Sequence, residues 1–369
     1  MIKIPVSASR NYDVIMQPGL LQDAGTRIRE ALGLTSDPKT GKISNKKICI
    51  VTDETVDALY GGSRHALWTS LEAAGFAVYK YVFPGGETHK TMATIAAILE
   101  YLAAEKFSRS DLLLALGGGI TGDITGFAAA SYLRGVEFIQ VPTSLLATVD
   151  SSVGGKTGVN LSAGKNLAGA FWQPSLVMFD PDVLSTLSDE LKLDGIAEAI
   201  KAGIIADPAI LTKVQSCNDL NDPAFLTELA AMAVEVKRQV VEEDERESGR
   251  RQLLNLGHTV AHAIEKCSRY EISHGHAVAM GMTIISRAAD SLGWGQEKCA
   301  EAILEILTKF RFPLACAYTA ADLAEAATQD KKVRGGDITI VYPNRIGDCR
   351  LKKIPTSELE AMIAAGLDH

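Results

Sequence analysis

The run Leu112-Leu-Leu-Ala-Leu116 restricts this chain more than any other segment. Five successive apolar residues leave no polar alternation, so both faces of the strand must be covered. A sheet covered on both faces needs helices above and below it. Neighbouring segments supply them. Lys47 to Thr52, Phe76 to Val82 and Phe138 to Val141 read as further strands. Ala66 to Ala74, ended by Gly75, and Thr91 to Ala104, with Ile95, Ile98, Leu99 and Leu102 on one face, read as helices. Pro84-Gly85-Gly86 breaks the chain between strand and helix. The pattern predicts a parallel α/β sheet.

After Pro181 the texture changes. Asp189 to Ile205, Pro223 to Glu245, Gln252 to Lys266, His276 to Leu292 and Gln296 to Phe310 are long Ala-, Glu- and Leu-rich stretches that predict helices. Asp337 to Tyr342 predicts one added strand. A chain of 369 residues exceeds one ordinary core. Two domains are expected, an α/β domain over 1–187 and a helical domain over 188–369, with ligands in the cleft between them.

Composition removes several classes. Net charge is −8 and no basic stripe stands out, so nothing favours nucleic acid. No run of about 18 apolar residues occurs, so no membrane span is expected. The opening Met-Ile-Lys-Ile-Pro-Val-Ser-Ala lacks a long apolar core, so no secretory signal is expected. The six cysteines are scattered without a Cys-x-x-Cys pair, which points to a reduced, cytoplasmic compartment. The polar stretch from Thr35 to Lys46 reads as a surface loop and carries no functional expectation.

Three motifs carry chemistry. Strand Leu112–Leu116 runs into Gly117-Gly-Gly-Ile-Thr-Gly122-Asp123, and a helix is expected over Ile124 to Tyr132. Strand, glycine turn and helix N-terminus make a phosphate cradle, because the backbone can approach closely and N–H groups point outward. Tight packing of helix on strand is the alternative, and pyrophosphate binding is favoured because strand and helix flank the glycines. The usual dinucleotide fingerprint sits on a first strand, not a later one. Asp53, ending an early strand, is placed to take a ribose hydroxyl, or simply to turn the chain. Next, Val141-Pro-Thr-Ser144 leads to Asp150-Ser-Ser-Val-Gly-Gly-Lys156-Thr-Gly-Val-Asn160 and Gly164-Lys-Asn166. Lysines among glycines and hydroxyls hold anions. A polar loop is the alternative.

The third motif is histidine-rich. Of the seven histidines, four lie between His258 and His276. Imidazole is a common metal ligand, and residues at i and i+4 share a helix face, as His258 and His262 do. In Leu193-Asp-Gly-Ile-Ala-Glu198-Ala-Ile-Lys201 a carboxylate sits on an apolar helix face and requires a cation. Lys201 is the bland partner and a metal the sharper one. One Glu with two His makes a three-ligand site with an open position. Lys237 and the charged run from Glu242 to Arg251 precede this cluster, and helical spacing puts Arg251, Asn255 and His258 on one face.

Taken together, these residues resemble the 3-dehydroquinate synthases, most densely over Gly117–Asp123, Tyr132–Asn166, Gly195–Lys201 and Asp244–Gly281. The resemblance implies a Rossmann-like NAD-binding α/β domain followed by a helical metal-binding domain, assembled as a homodimer. It implies a divalent metal, zinc or cobalt, on Glu198, His258 and His274. NAD would be met by Asp53, Gly85, Glu87, Lys90, Gly118, Gly119, Asp123, Thr143, Ser144, Lys156, Lys165 and Thr186. Lys156, Asn166, Asn255 and His262 would grip a substrate phosphate. Arg134 would reach in from the partner subunit, and Lys331 or Lys332 would add to that site. Lys237 and Arg251 would take a carboxylate. Asp150 would stand by the reacting hydroxyls, while Lys201 and Glu247 would orient metal, substrate and solvent.

The activity so implied turns 3-deoxy-D-arabino-heptulosonate 7-phosphate into 3-dehydroquinate and phosphate, a lyase step of the shikimate pathway. NAD oxidises transiently and is regenerated, phosphate leaves by β-elimination, and an aldol closure finishes the ring. Other sugar phosphate cyclases, such as 2-deoxy-scyllo-inosose and 2-epi-5-epi-valiolone synthases, share triad and NAD but need no carboxylate clamp. A glycerol-type dehydrogenase would produce net NADH. Two positions depart from the family pattern: His276, where Glu usually follows His-Gly, and Ser144, where Thr is usual.

Overall fold

A computed structural model describes residues 1–35, 46–328 and 336–367 of the chain. The expected loop at Thr35–Lys46 lies almost wholly outside the described residues, as do Lys331 and Lys332. The chain divides into two compact units, Met1–Leu187 with Asn221–Glu245, and Ser188–Leu220 with Arg246–His369.

The first unit is built on a seven-stranded sheet. In chain order its strands are β1 (Ile2–Val6), β2 (Tyr12–Met16), β3 (Lys47–Asp53), β4 (Ala77–Phe83), β5 (Leu112–Gly117) and β6 (Glu137–Pro142). A separate antiparallel hairpin follows, β7 (Lys156–Leu161) and β8 (Gly164–Phe171), and β9 (Leu176–Phe179) returns to the sheet. The order is β1-β2-β9-β6-β5-β3-β4, parallel apart from the β1 edge. Every residue of β5 is buried, as its composition requires. Ile95, Ile98 and Leu102 of helix Met92–Ala104 pack with Ile124 and Phe138 against Val51 and Leu113.

From β3 the chain moves outward to β4, and from β5 it moves the other way to β6. The carboxyl ends of β3 and β5 therefore flank a topological switch point, where open α/β sheets bind ligands.

The helical second half is not continuous in space. Helix Pro223–Glu243 joins the first unit, interrupting the domain expected over 188–369. Its apolar stripe, including Phe225, Leu229, Val236 and Val240, is buried, and it packs on the turn Ala147–Ser151 and on Pro181–Thr186. Lys237, on the same side, donates to the Asp150 carboxylate at 2.6 Å and to the Asp150 carbonyl.

The second unit packs helices around His274–Ser291, which touches Asp189–Ile205, His258–Cys267, Ala300–Lys309 and Leu359–Gly366. Asp337 opens β10 (Asp337–Arg345), which is longer than expected and pairs with an unforeseen β11 (Asp348–Pro355). Small residues bring backbones together. A Cβ at Gly275 would sit 2.2 Å from Asp194 Cα, and one at Gly281 would sit 2.2 Å from the Gly257 carbonyl oxygen.

The helix expected over Gln252–Lys266 is broken. A 3-10 turn covers Arg250–Asn255, Gly257 adopts φ 78°, and the helix begins at His258. Arg251, Asn255 and His258 consequently share no helix face. Left-handed geometry favours glycine, and a Cβ at Gly257 would lie 2.8 Å from Met282 N.

Candidate nucleotide cradle and candidate metal centre

In the first unit the glycine turn starts its helix earlier than sequence spacing suggests, at Gly119, with Gly118 as N-cap. Packing explains part of the motif. A Cβ on Gly117 would lie 2.4 Å from Thr121 Oγ1, and one on Gly122 would lie 2.6 Å from Gln140 Oε1. Gly118 differs, since its nearest neighbour would be Ser144 Oγ at 3.6 Å. That open side belongs to a cavity lined by Asp53, Phe83, Gly85, Gly86, Gly118, Gly119, Ile120 and Thr121, at the switch point. A half-buried helix N-terminus opening on this cavity, beside glycines that leave room, fits a pyrophosphate. Asp53 turns the chain, the plainer of its two expected parts. Its Oδ1 accepts from Thr55 N and Val56 N and caps a helix turn, while Oδ2 lies 3.4 Å from Thr121 Oγ1.

A second group of expected residues forms one network. Lys90 Nζ lies 2.5 Å from Asp123 Oδ2 and donates to Asn166 Oδ1 at 2.6 Å. Asn160 donates to Glu87 at 2.8 Å and accepts from the Asn166 N–H at 2.9 Å. Lys165 stands 3.9 Å from Glu87. Burying a lysine requires such partners. Burial also lifts the Asp123 carboxyl above its ordinary range, with Lys90 pulling against it. The stretch containing Lys156 and Asn160 is strand rather than loop, half of the β7–β8 hairpin, and Lys156 is exposed. Arg134 is exposed with φ 67°. Thr143 donates its N–H to the Gly117 carbonyl, and Ser144 Oγ accepts from Ala147 N. Thr186 Oγ1 and Tyr60 Oη share a hydrogen bond at 2.8 Å.

In the second unit Glu198, His258 and His274 each offer a ligand atom within 4.8 Å of the others. Glu198 Oε1 lies 3.7 Å from His258 Nε2 and 3.4 Å from His274 Nε2. The far nitrogens are engaged as well. His258 Nδ1 lies 3.1 Å from the Leu256 carbonyl, and His274 Nδ1 lies 3.4 Å from Glu265 Oε2. An Nδ1–H donated outward leaves the Nε2 lone pair facing inward, the arrangement of a metal-ligating imidazole. One carboxylate and two such imidazoles fit a divalent ion with an open position. Glu198 also pairs with Lys201, the bland partner expected from the sequence. Burial pulls the His274 pKa down, but hydrogen bonds and charge from Glu198 and Glu265 outweigh it and raise it to about 10.

His262 stands beside this set, its ring 5.5 Å from that of His258. Asn255 donates to Glu247 Oε1 at 2.7 Å, with Glu247 at φ 58°. Arg251 is buried. The unusual His276 has a structural explanation. Asp194 Oδ1 lies 2.8 Å from its Nδ1 and accepts its backbone N–H at 3.1 Å and the Ser273 hydroxyl at 2.6 Å. Asp194 thus fastens the start of the helix that carries His274. Asn160, which the sequence offers only as the end of the Lys156–Asn160 run, lies on a strand and carries no helical signal, while Glu265 and Asp194 are assigned no role there. Helical spacing was the available signal, since Glu265 follows His258 by two turns and Asp194 precedes Glu198 by one.

Comparison with known proteins narrows the chemistry. Residues 80–193 match the family model described as 3-dehydroquinate synthase N-terminal, and 195–333 match 3-dehydroquinate synthase C-terminal. The chain is 38% identical to a 3-dehydroquinate synthase of Enterococcus faecalis over 96% of both chains. It is 39% identical to one of Clostridium acetobutylicum over 94% of this chain and 95% of the relative. Among solved structures, 2-deoxy-scyllo-inosose synthase with carbaglucose-6-phosphate, NAD+ and Co2+ superposes with a TM-score of 0.86 at 24% identity, covering 99% and 100% of the two chains. The 2-epi-5-epi-valiolone synthase of Streptomyces hygroscopicus, with NAD+ and Zn2+, superposes at 0.82 with 26% identity over 98% of each. A probable glycerol dehydrogenase of Sinorhizobium meliloti shares the fold more loosely, at 0.61 and 14%, over 95% of each. Matches that run the length of both units place this chain in the 3-dehydroquinate synthase family.

Proposed function

We propose that the chain converts 3-deoxy-D-arabino-heptulosonate 7-phosphate to 3-dehydroquinate and phosphate, as a cytoplasmic homodimer with NAD and a divalent metal. The Glu198–His258–His274 donor set, with both outward nitrogens engaged, carries the reading. Full-length relatives at 38% and 39% identity are named for this activity, against 24% for the inosose synthase.

When bound, NAD exchanges a hydride with the substrate and the metal acidifies a hydroxyl. The protein's own residues bind and orient. Lys237, already fixed on Asp150, supplies one arm of the carboxylate clamp and holds Asp150 toward the reacting hydroxyls. Arg251 supplies the other arm. Asn166, held by Lys90, and Asn255, held by Glu247, serve the phosphate together with Lys156 and His262. The exposed Arg134 reaches the site of a second copy, and Lys331 or Lys332 contributes to the phosphate site. Asp53, Gly85, Glu87, Lys90, Gly118, Gly119, Asp123, Thr143, Ser144, Lys156, Lys165 and Thr186 serve NAD. Lys201 acts through Glu198, and Glu247 through Asn255. The departing phosphate can take the proton, so a dedicated protein base is unnecessary. Scattered cysteines without a Cys-x-x-Cys pair suit a reducing compartment.

The test compares substrates. With NAD and zinc, the heptulosonate phosphate should release phosphate and yield 3-dehydroquinate, while a hexose phosphate lacking the carboxylate should not react. Faster turnover of the hexose phosphate would reject the assignment.

A further inference from the structure

We propose that Glu265 is a positioning residue for the metal centre: its carboxylate accepts the Nδ1–H of His274 and thereby presents His274 Nε2 to the ion. The proposal rests on the metal-centre reading above. Glu265 is buried, and a buried carboxylate requires a partner. Its Oε2 lies 3.4 Å from His274 Nδ1, while His274 Nε2 lies 3.4 Å from Glu198 Oε1 on the other side of the ring. A neutral imidazole carries one N–H and one lone pair. An acceptor that fixes the N–H on one nitrogen fixes the lone pair on the other.

Topology makes this economical. Helix His258–Cys267 begins with one ligand and, two turns on, offers the group that orients the other. For His258 the same task falls to a backbone carbonyl, that of Leu256. The main chain of His274 is secured separately by Asp194 at its helix start, one turn before Glu198. Backbone placement and ring orientation of His274 thus depend on different carboxylates. Negative charge on Glu265 also makes the ring a better donor.

A competing role can be separated. Glu265, His262 and His274 form a second triple whose donor atoms lie within 4.8 Å. An ion there would need the Nδ1 lone pair, and one neutral ring cannot ligate through both nitrogens. If Glu265 positions the ring, one ion binds per chain. If it is itself a ligand, a second ion binds and disappears with Glu265.

The experiment measures zinc affinity by chelator competition, metal stoichiometry, the cobalt visible spectrum and NAD affinity for the unsubstituted protein, E265A, E265Q and H258A. E265A should bind zinc roughly 10–100-fold more weakly, the usual effect of removing a carboxylate behind a ligating histidine. It should shift the cobalt spectrum and leave NAD affinity unchanged. E265Q keeps an acceptor for Nδ1–H and should lose less. Parental zinc affinity in a folded E265A overturns the proposal, as does loss of a second ion. Should E265A fail to fold, E265Q decides, with weakened zinc binding expected and parental affinity overturning the proposal. If H258A also binds zinc normally, the metal-centre reading itself has failed, an outcome distinct from failure at Glu265 alone.

Discussion

The turn at Gly117–Gly122 and the cluster at Glu198, His258 and His274 are made of different materials. The first is backbone: a strand end, a helix start, and a gap where side chains would be. The second, a candidate metal centre, is side chain, gathered from three helices and backed by the Leu256 carbonyl and Glu265. A backbone site tolerates change around it but not an added Cβ. A side-chain site is vulnerable at each ligand and at each support, and its ligands titrate. The two should therefore fail independently and by different signatures.

Removing a ligand is the harshest way to test that independence. His258→Ala should abolish stoichiometric zinc and lower turnover roughly a thousandfold, since a catalytic metal contributes several kcal/mol. NAD affinity, read by fluorescence titration, should hold. Joint loss of both would mean that the sites are not separate. Gly118→Val is the mirror experiment. Its Cβ meets little protein but takes up cradle space, so NAD affinity should fall roughly 10–100-fold with zinc unchanged, the scale of one charge-assisted hydrogen bond. Gly126→Ala should act on stability instead. Its Cβ would sit 2.3 Å from Thr157 Cγ2, an overpacking worth about 1–3 kcal/mol and visible as a lowered thermal midpoint.

The smallest effect concerns protons. Without metal, the His274 pKa is raised to about 10, above the ordinary imidazole value. The protonated ring thus stabilises the metal-free unit fully at pH below that ordinary value, and the benefit is lost as pH rises through about 10. A metal reverses the sign, because it binds the neutral ring. Zinc binding at pH 8 should release close to one proton from His274, measurable by calorimetry in buffers of different ionisation enthalpy. Proton-free binding would mean that His274 is neutral before the metal arrives or is not a ligand.

Legibility followed the same division. The cradle was readable because its parts are contiguous: an apolar strand, glycines, then a helix. Only the fold separates Gly118, which faces open space, from Gly117 and Gly122, which pack. In the candidate metal centre the residue types are visible in the sequence, and the family resemblance implies His274 rather than His262 as the ligand. Their supports were not visible, because Glu265 and Asp194 are ordinary helical carboxylates until the fold sets an imidazole beside each. Helix Pro223–Glu243 looked like part of the second half, yet its apolar stripe packs within the first unit, a choice no local pattern encodes. Gly257 likewise broke an otherwise helical pattern through a close approach to Met282.

The most direct measurement follows phosphate release and reduced nicotinamide together, with the heptulosonate phosphate, NAD and zinc. Phosphate should appear in step with 3-dehydroquinate while no NADH accumulates, because the hydride is returned in every turnover. NADH rising in proportion to turnover would contradict the cyclase assignment and identify a dehydrogenase on the same scaffold.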